Sequence, residues 1–389
     1  MRVGVLTSLF PSPARPREGI FALRRWAGMA ARGHEVLVVQ PTPRVPWPLG
    51  QLAPRRFGDL ASRPAIEQRE GLDVQRPRYL HLSGRALGNA ARFARVGVAA
   101  LAKFQPDVVV CDYAWPAAAA AADLRARGIA CVVSGRGSDV LEVAGEAGLG
   151  AELAAALRAA GAWCAVSKDL VLAMDRLARE PRGVLVPNGV DAACFRILTN
   201  DERSRARAKL GWLPDEAVVL LVGHLIERKD PALALAAFAS LCATRQGARL
   251  VVVGTGPLEK ALRAGIQSRR LESCVELIGE REPADLAQLL GAADALLLTS
   301  RREGRPNVVL EAFSCGLAVV ATDAGGTAEL FEAGPLDVVD SRYPSDLAAA
   351  LTAVLETPPA RAALRASVAE LTWDAGLERL ERILSEAPR

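Results

Sequence analysis

Two acidic side chains, Glu303 and Glu311, lie within TSRREGRPNVVLEAFSCGLAVVATDAGG (299–326), and the residues between them suggest their chemistry. Pro306 and Asn307 mark a helix start just after a strand-like run. At such a start the free N–H groups of Asn307 and Val308 point outward, and with the helix dipole they favour a phosphate. Glu311 follows one turn after Asn307, so both project from one face. A carboxylate there can accept both hydrogens of a vicinal diol such as ribose O2′ and O3′. Glu303, in the loop before the helix, is placed to meet a sugar or the positive charge that develops on one. Two glutamates alone would read as solvated surface. Together with Gly304, Pro306, Asn307, Gly325 and Gly326 they read as a ligand site.

A second segment, LLVGHLIERKD (220–230), ends a strand at Gly223 and continues into His224, Arg228 and Lys229. A nucleoside diphosphate gains negative charge as it leaves, so a fixed cation stabilises the transition state more than the ground state. Lys229 with Arg228 fits that task, although a Lys-Arg pair taken alone is ordinarily surface charge. The third segment, LVVVGTGPLEKAL (250–262), is a strand, a turn with Gly254 and Gly256, and a helix opened by Pro257. It lacks the third glycine and the ribose-binding acid of a dinucleotide fold, so an NAD site is a poor reading, and a purely structural turn is an equal one. No Asp-x-Asp cluster or His/Cys spacing suits a metal, so neither metal nor cofactor is expected. In the N-terminal half, Gly19 precedes a helix, and VVSGRGSDV (132–140) offers Arg136, which could hold an acceptor phosphate or a donor sugar with Asp139 orienting it. An Arg136–Asp139 surface pair is the alternative. His34, in a turn before a strand, reads as structural, and apart from His34 and His81 that half offers only scattered carboxylates as acid/base groups.

Positioning these groups needs an α/β scaffold. A chain of 389 residues, half of them apolar, is expected to form two domains. Unbroken apolar runs at 2–7, 35–40, 106–112 and 129–135 predict buried parallel strands with helices between them. The pattern restarts after VLVPNGVD (184–191), with strands at 217–223, 248–254, 275–279, 294–300 and 317–322. Two doubly wound, Rossmann-like domains follow: residues 1–183, residues 184–370, and a terminal helix, 371–389, returning to the first. A cleft facing the strands' carboxyl ends is the expected ligand site. The proline-rich stretch 41–70 reads as a long surface loop. Residues 85–104 read as a helix whose Arg85, Arg92, Arg95 and Lys103 would face either solvent or anionic lipid.

Residues 1–180 hold 24 Lys and Arg against 16 Asp and Glu, whereas residues 181–389 hold 24 against 28. The basic half suits an anion, either a phosphorylated substrate or an acidic membrane surface, unless it is simply a solvated Arg-rich surface. No apolar run approaches the ~20 residues of a membrane span, and Met1 leads directly into a strand, so a cytoplasmic protein is expected, at most peripheral at the inner face of the plasma membrane. The seven scattered cysteines read as reduced core residues.

The Glu303–Glu311 spacing with its G-x-P-N-V-V-L resembles the E-x7-E segment of the retaining glycosyltransferases of family 4. The resemblance covers nearly the whole chain and is strongest over 184–330. It implies a GT-B fold, in which Glu311 binds the nucleotide ribose, Glu303 contacts the donor sugar and Lys229 meets the diphosphate. It further implies that the Gly254–Gly256 turn and the Ile278–Arg281 loop, with Gly279 and Arg281, line the base and ribose region. Gly19 would face the diphosphate, and Arg136 stands where many relatives have a His beside the reacting sugar. Two departures stand out: His224 replaces the usual Arg, and only Gly19 remains of a glycine pair. The opening segment and RGSD look similar to bacterial transferases of the teichuronic acid type. The implied activity is metal-independent transfer of a hexose-type sugar, with retention, from a nucleotide-sugar donor to a glycan or lipid-linked acceptor in cell-surface polysaccharide biosynthesis. Nucleic acid is not an expected partner. Rival readings are another GT-B enzyme, such as a nucleotide-sugar epimerase or a phosphorylase, and a sugar-nucleotide-binding protein without catalysis.

Overall fold

The computed structural model describes residues 1–44, 60, 63–146 and 148–388. The chain divides into two compact units, Met1–Asn188 with Trp373–Arg389, and Gly189–Thr372.

In the first unit the strands are β1 (Arg2–Thr7), β2 (Glu35–Val39), β3 (Thr42–Arg44), β4 (Ile66–Arg69), β5 (Leu72–Gln75), β6 (Arg78–Leu80), β7 (Val108–Asp112), β8 (Ala130–Gly135), β9 (Gly161–Ala165) and β10 (Gly183–Leu185). The main sheet runs β10-β9-β8-β7-β1-β2-β5-β4, parallel except for the β4–β5 hairpin. β7 and β8 are buried along their whole length, as strands covered by helices on both faces must be. The chain builds outward from β1 in one direction and then restarts at β7 in the other. The carboxyl ends of β1 and β7 therefore flank a topological switch point, where such sheets open a crevice for ligands.

The stretch 41–70 is not the uninterrupted loop its prolines suggest. β3 pairs with β6 in a small parallel sheet, and β4 turns into β5 through Glu70 (φ 48°) and Gly71 (φ 79°), two left-handed residues that match the twist of a tight hairpin. These strands are only three or four residues long, and β4 and β6 are largely exposed, so they offer little hydrophobic pattern to read. The rest of that expected loop, 45–59 and 61–62, lies outside the described residues.

The helix Ala86–Phe104 buries Ala90, Phe93, Ala94, Val98 and Leu101 and leaves Arg85, Arg95 and Lys103 exposed. The last helix, Trp373–Glu386, places Leu377, Leu380, Ile383 and Leu384 in one apolar cluster with Leu23, Trp26 and Met29 of the helix Ile20–Ala31. Leu377 occupies the space beside Gly28, where a Cβ would stand 2.6 Å from its Cδ1. Arg32 grips Glu381 with two hydrogen bonds (2.9 and 3.0 Å), and His34 Nε2 lies 2.9 Å from the same carboxylate. His34 thus has a structural contact of its own.

The second unit holds β11 (Ala217–Val222), β12 (Ala248–Val253), β13 (Val275–Gly279), β14 (Ala295–Leu298) and β15 (Ala318–Ala321), all parallel, in the order β13-β12-β11-β14-β15. Its switch point lies between β11 and β14. Among the described residues no helix is long and apolar enough to cross a membrane. All seven cysteines are free thiols.

Candidate functional site

The carboxyl ends of β11 and β14 bring together the residues that the sequence singled out in two separate segments. After β11, Gly223 adopts φ 149° and the chain passes exposed His224 into a single 3-10 turn, Glu227–Lys229. After β14, Thr299 and Ser300 lead to Glu303. The loops are bolted to each other: the Thr299 hydroxyl donates to the carbonyls of Lys229 (3.1 Å) and Asp230 (2.9 Å), and Arg301 N–H donates to Arg228 O (2.8 Å). Asp230, at φ 47°, caps the helix Pro231–Thr244 by accepting from Leu233 N–H. The same carboxylate receives Arg342 (2.7 Å) and Arg301 (2.8 Å).

Within this frame Lys229 Nζ lies 2.5 Å from Glu303 Oε1, the Ser300 hydroxyl donates to that oxygen (2.6 Å), and Arg228 Nη1 is 3.4 Å from Oε2. Glu303 is only 6% exposed. It is folded under the two cations. Burial pushes its carboxyl up, but the charge and hydrogen bond of Lys229, the Ser300 hydroxyl and the charge of Arg228 outweigh that, and its pKa falls below the ordinary glutamate value. Glu303 therefore stays ionised at neutral pH, able to accept hydrogen bonds but not to donate a proton. Two cations share this carboxylate, which leaves a net positive charge for an anion.

The helix behind this loop is Asn307–Ser314, with Pro306 as its N-cap residue. Gly304 and Pro306 are buried, Asn307 and Glu311 half-buried. The Val308 side chain belongs to the core, so only its backbone N–H can take part in binding. Glu303 N–H donates to Ala324 O (3.2 Å) and Gly326 N–H to Glu303 O (3.4 Å), so Gly325 and Gly326 hold the Glu303 loop as a short parallel bridge.

The Gly254–Gly256 turn has a clear steric cause. A Cβ on Gly254 would fall on Gly223 O, and one on Gly256 on Leu225 O. Leu225 N–H donates to Thr255 O (2.9 Å) and Leu258 N–H to Leu225 O (3.0 Å). The glycines thus let the ends of β11 and β12 touch. Gly279, at φ 71°, faces open space, while Arg281 Nη1 donates to Glu280 O (3.0 Å) and the Glu280 carboxylate accepts from the Thr255 hydroxyl (2.9 Å). Gly254→Ala is expected to lose about 3 kcal/mol of stability or more, because a left-handed φ of 131° and a backbone collision add; urea unfolding of the variant beside wild type measures this.

The first unit's switch point carries a buried polar cluster. Asp112, ending β7, is 1% exposed and receives Arg136 Nε (2.9 Å) and Nη2 (3.0 Å) together with Trp26 Nε1 (2.8 Å). Arg136 Nη1 donates to Asn188 Oδ1 (2.9 Å), and its guanidinium lies 4.9 Å from the centre of the Phe21 ring. Arg25 donates to the same Asn188 oxygen (3.2 Å) and to Val186 O (3.1 Å). Burial, then the Arg136 charge, lowers Arg25 to about 9, against the opposing pull of Asp112.

Asp139 does not orient the Arg136 side chain as expected, and the alternative, an Arg136–Asp139 surface pair, does not form either. Asp139, 2% exposed, accepts the backbone N–H groups of Ala114 (2.5 Å), Gly137 (2.7 Å) and Arg136 (3.0 Å), fixing the turn after β8, and it is Asp112 that orients the guanidinium. Burial raises the Asp139 carboxyl to about 6 despite those three donors. Gly19, at φ 73°, is the N-cap residue of the helix Ile20–Ala31, and a Cβ there would come 2.8 Å from Leu9 O.

Sequence reasoning missed Asp112, Arg25, Trp26 and Asn188 in the first unit and Ser300, Asp230 and Arg342 in the second. A signal existed for two of them. Asp112 is a lone charge closing an apolar strand, and Arg25 falls in helical phase with Ala22, Trp26 and Met29 on the buried face.

Comparison with known proteins bears on the same segments. Residues 21–193 match the model of "Glycosyltransferase Family 4", and residues 202–370 that of "Glycosyl transferases group 1". The chain belongs to the family 4 glycosyltransferases. The family 4 chain is 29% identical over 340 residues to TuaC of Bacillus subtilis, named for teichuronic acid biosynthesis, a match that covers 85% of this chain and 83% of that one. It is 32% identical over 216 residues to a GDP-mannose-dependent mannosyltransferase of phosphatidylinositol monomannoside from Corynebacterium glutamicum, covering 52% of this chain. That match spans only 56% of the mannosyltransferase. Among solved structures, sucrose-phosphate synthase of Thermosynechococcus elongatus superposes with a TM-score of 0.79 at 20% identity, covering 99% of both chains. Anabaena HepE in complex with UDP and glucose gives a TM-score of 0.73 at 20% identity and covers 98% of both. At such identity these likenesses speak for the fold, which is GT-B.

Proposed function

We propose that this family 4 glycosyltransferase transfers a hexose-type sugar, with retention of configuration, from a nucleoside-diphosphate donor to a glycan or lipid-linked acceptor in cell-surface polysaccharide biosynthesis. The observation that carries the reading is the Lys229–Glu303–Arg228 group at the switch point of β11 and β14. The UDP and glucose named for HepE's complex and the biosynthetic name of TuaC support it.

The chemistry follows from the charges. As the glycosidic bond breaks, the diphosphate gains charge, and Lys229, Arg228 and the amino end of Asn307–Ser314 stabilise it in place of a metal ion. Glu303, ionised beneath Lys229, accepts hydrogen bonds from sugar hydroxyls and keeps the ammonium aimed at the phosphate. Glu311 holds the ribose diol, Gly254, Gly256, Gly279 and Arg281 border the nucleoside, and His224 adds charge only when protonated. On the acceptor side, Arg136 is held rigid by Asp112 and Asn188, so it presents an edge rather than a mobile arm. The exposed Arg85, Arg95 and Lys103 give a lipid-linked acceptor's anionic membrane a surface to meet.

A nucleotide that binds only the folded protein must raise its melting temperature. UDP-, GDP- and ADP-sugars are therefore screened by thermal shift and turnover, and at least one is expected to do both. Glu311→Ala should weaken that donor's binding roughly 10- to 100-fold, the loss of hydrogen bonds to a charged acceptor. Unchanged donor affinity in this variant would remove Glu311 from the ribose, and no shift with any of the donors would overturn the reading.

A further inference from the structure

We propose that the second unit binds a phosphate monoester in a cavity at the amino ends of β11, β14 and β15, against the guanidiniums of Arg203, Arg245 and Arg361. The cavity measures about 440 Å³, within the range of small-molecule sites and large enough for a phosphate with a compact organic body. Ala217, Asp294 and Ala318, at or just before the starts of the three strands, are in its wall. Lys229 and Glu303 follow the carboxyl ends of the same sheet, a strand's length or roughly 17 Å away. This is therefore a second site, and it does not depend on the transfer reading.

Two of the three cations are fixed and still have a free edge. Arg361 Nη2 donates to Gly291 O (2.8 Å) and Cys315 O (3.1 Å), and Arg203 Nη2 donates to Ala293 O (3.3 Å) and Asp294 Oδ1 (2.5 Å). Nη1 of each makes no hydrogen bond among the described residues and, unlike Nε, is not sealed from solvent. Gly316, at φ 68°, is what admits Arg361, since a Cβ there would stand 2.7 Å from the Arg361 Cβ. Arg245, the C-cap residue of the helix Pro231–Thr244, is half-buried, and its side chain has neither a hydrogen bond nor an ion pair among the described residues.

Charge selects an anion. Asp294 is shared by Arg203 and, from behind the wall, Arg207 (3.2 Å), while Glu216 receives Arg249 (2.8 Å), which also lies 3.9 Å from the exposed Glu276. With the exposed Asp215, four carboxylates stand against five guanidiniums, and Arg245 and Arg361 form an ion pair with none of them. Burial, then the charge of Arg203, lowers the pKa of Arg361 against the opposing pull of Asp294, so two like charges are held within range of each other. A doubly charged phosphate at their free edges offsets that repulsion, and the planar fork of a guanidinium matches its oxygens.

Isothermal titration of the full chain at low ionic strength tests this with glycerol 3-phosphate and glucose 6-phosphate, beside inorganic phosphate and, as the uncharged control, glucose. At least one ester is expected to bind wild type, inorganic phosphate more weakly, and glucose not at all. The Kd of that ester should rise at least tenfold in Arg245→Ala, the cost of losing a hydrogen bond between charged groups, and stay within twofold in Lys229→Ala. The Arg245 side chain bonds nothing in the protein, so the melting temperature of this variant should match wild type. Should Arg245→Ala unfold, Arg245→Gln decides in its place. The proposal is overturned if neither ester binds, if affinity is unchanged in Arg245→Ala, or if glucose or inorganic phosphate binds as tightly as the better ester. It is overturned equally if Lys229→Ala weakens binding as much as Arg245→Ala, which would assign the ester to the carboxyl end of the sheet.

Discussion

Lys229→Ala is expected to lower kcat/KM for sugar transfer by roughly 10²–10³, the usual cost of removing one fixed group that stabilises charge formed in the transition state. In the structure its ammonium is 2.5 Å from Glu303 Oε1, and with Arg228 it carries the excess positive charge to which the proposed function assigns the diphosphate. Steady-state kinetics with the donor identified by thermal shift measures the loss, and Lys229→Arg, which keeps the charge but not its compact shape, should recover only part of it. A second readout separates a charge role from a merely structural one. In wild type the Glu303 pKa lies below the ordinary glutamate value, so its ionisation contributes stability above that ordinary value, lost as pH falls through the folded one. Without Lys229, burial pushes the carboxyl up with less opposition, and this acid-side contribution should shrink. Transfer within twofold of wild type in Lys229→Ala would end the proposed role.

The largest stability effect is expected at Asp112. Asp112→Ala removes the anion that two buried guanidiniums share, since Arg136 binds it directly and Arg25 senses its charge while 2% exposed. Breaking a buried pair on one side typically costs about 3–5 kcal/mol, because the remaining charge stays buried without its partner. Urea unfolding should show this as a lowered midpoint. Replacing Asp112 and Arg136 together by apolar residues of similar size should recover much of the loss, whereas an additive double variant would mean that the cluster does not act as a unit. Unchanged stability in Asp112→Ala would contradict the geometry outright.

The long buried strands were legible because strands covered on both faces must be apolar throughout. VVVCD, ACVVSG, AVVLLV and ARLVVV could hardly form anything else. β3, β4 and β6 were not, since strands of three or four residues in or beside a proline-rich stretch are too short to show a pattern. β9, GAWCA, was hidden by a glycine and two alanines that find their pairing only against β8.

The same division runs through the candidate site. Local sequence determined the helix start at Pro306–Asn307, the acidic residue one turn later, and the glycines at the ends of β11 and β12, because helix caps and left-handed turns depend on a residue and its immediate neighbours. Which charges meet was decided only by the tertiary structure. Lys229 and Glu303, 74 positions apart, become partners because β11 and β14 are adjacent strands, and Arg136 turns to Asp112 instead of nearby Asp139 because the latter's oxygens are already taken by backbone N–H groups. Electrostatic partnership depends on distance through space and on competition for each lone pair, and neither is written in the spacing of residues along the chain.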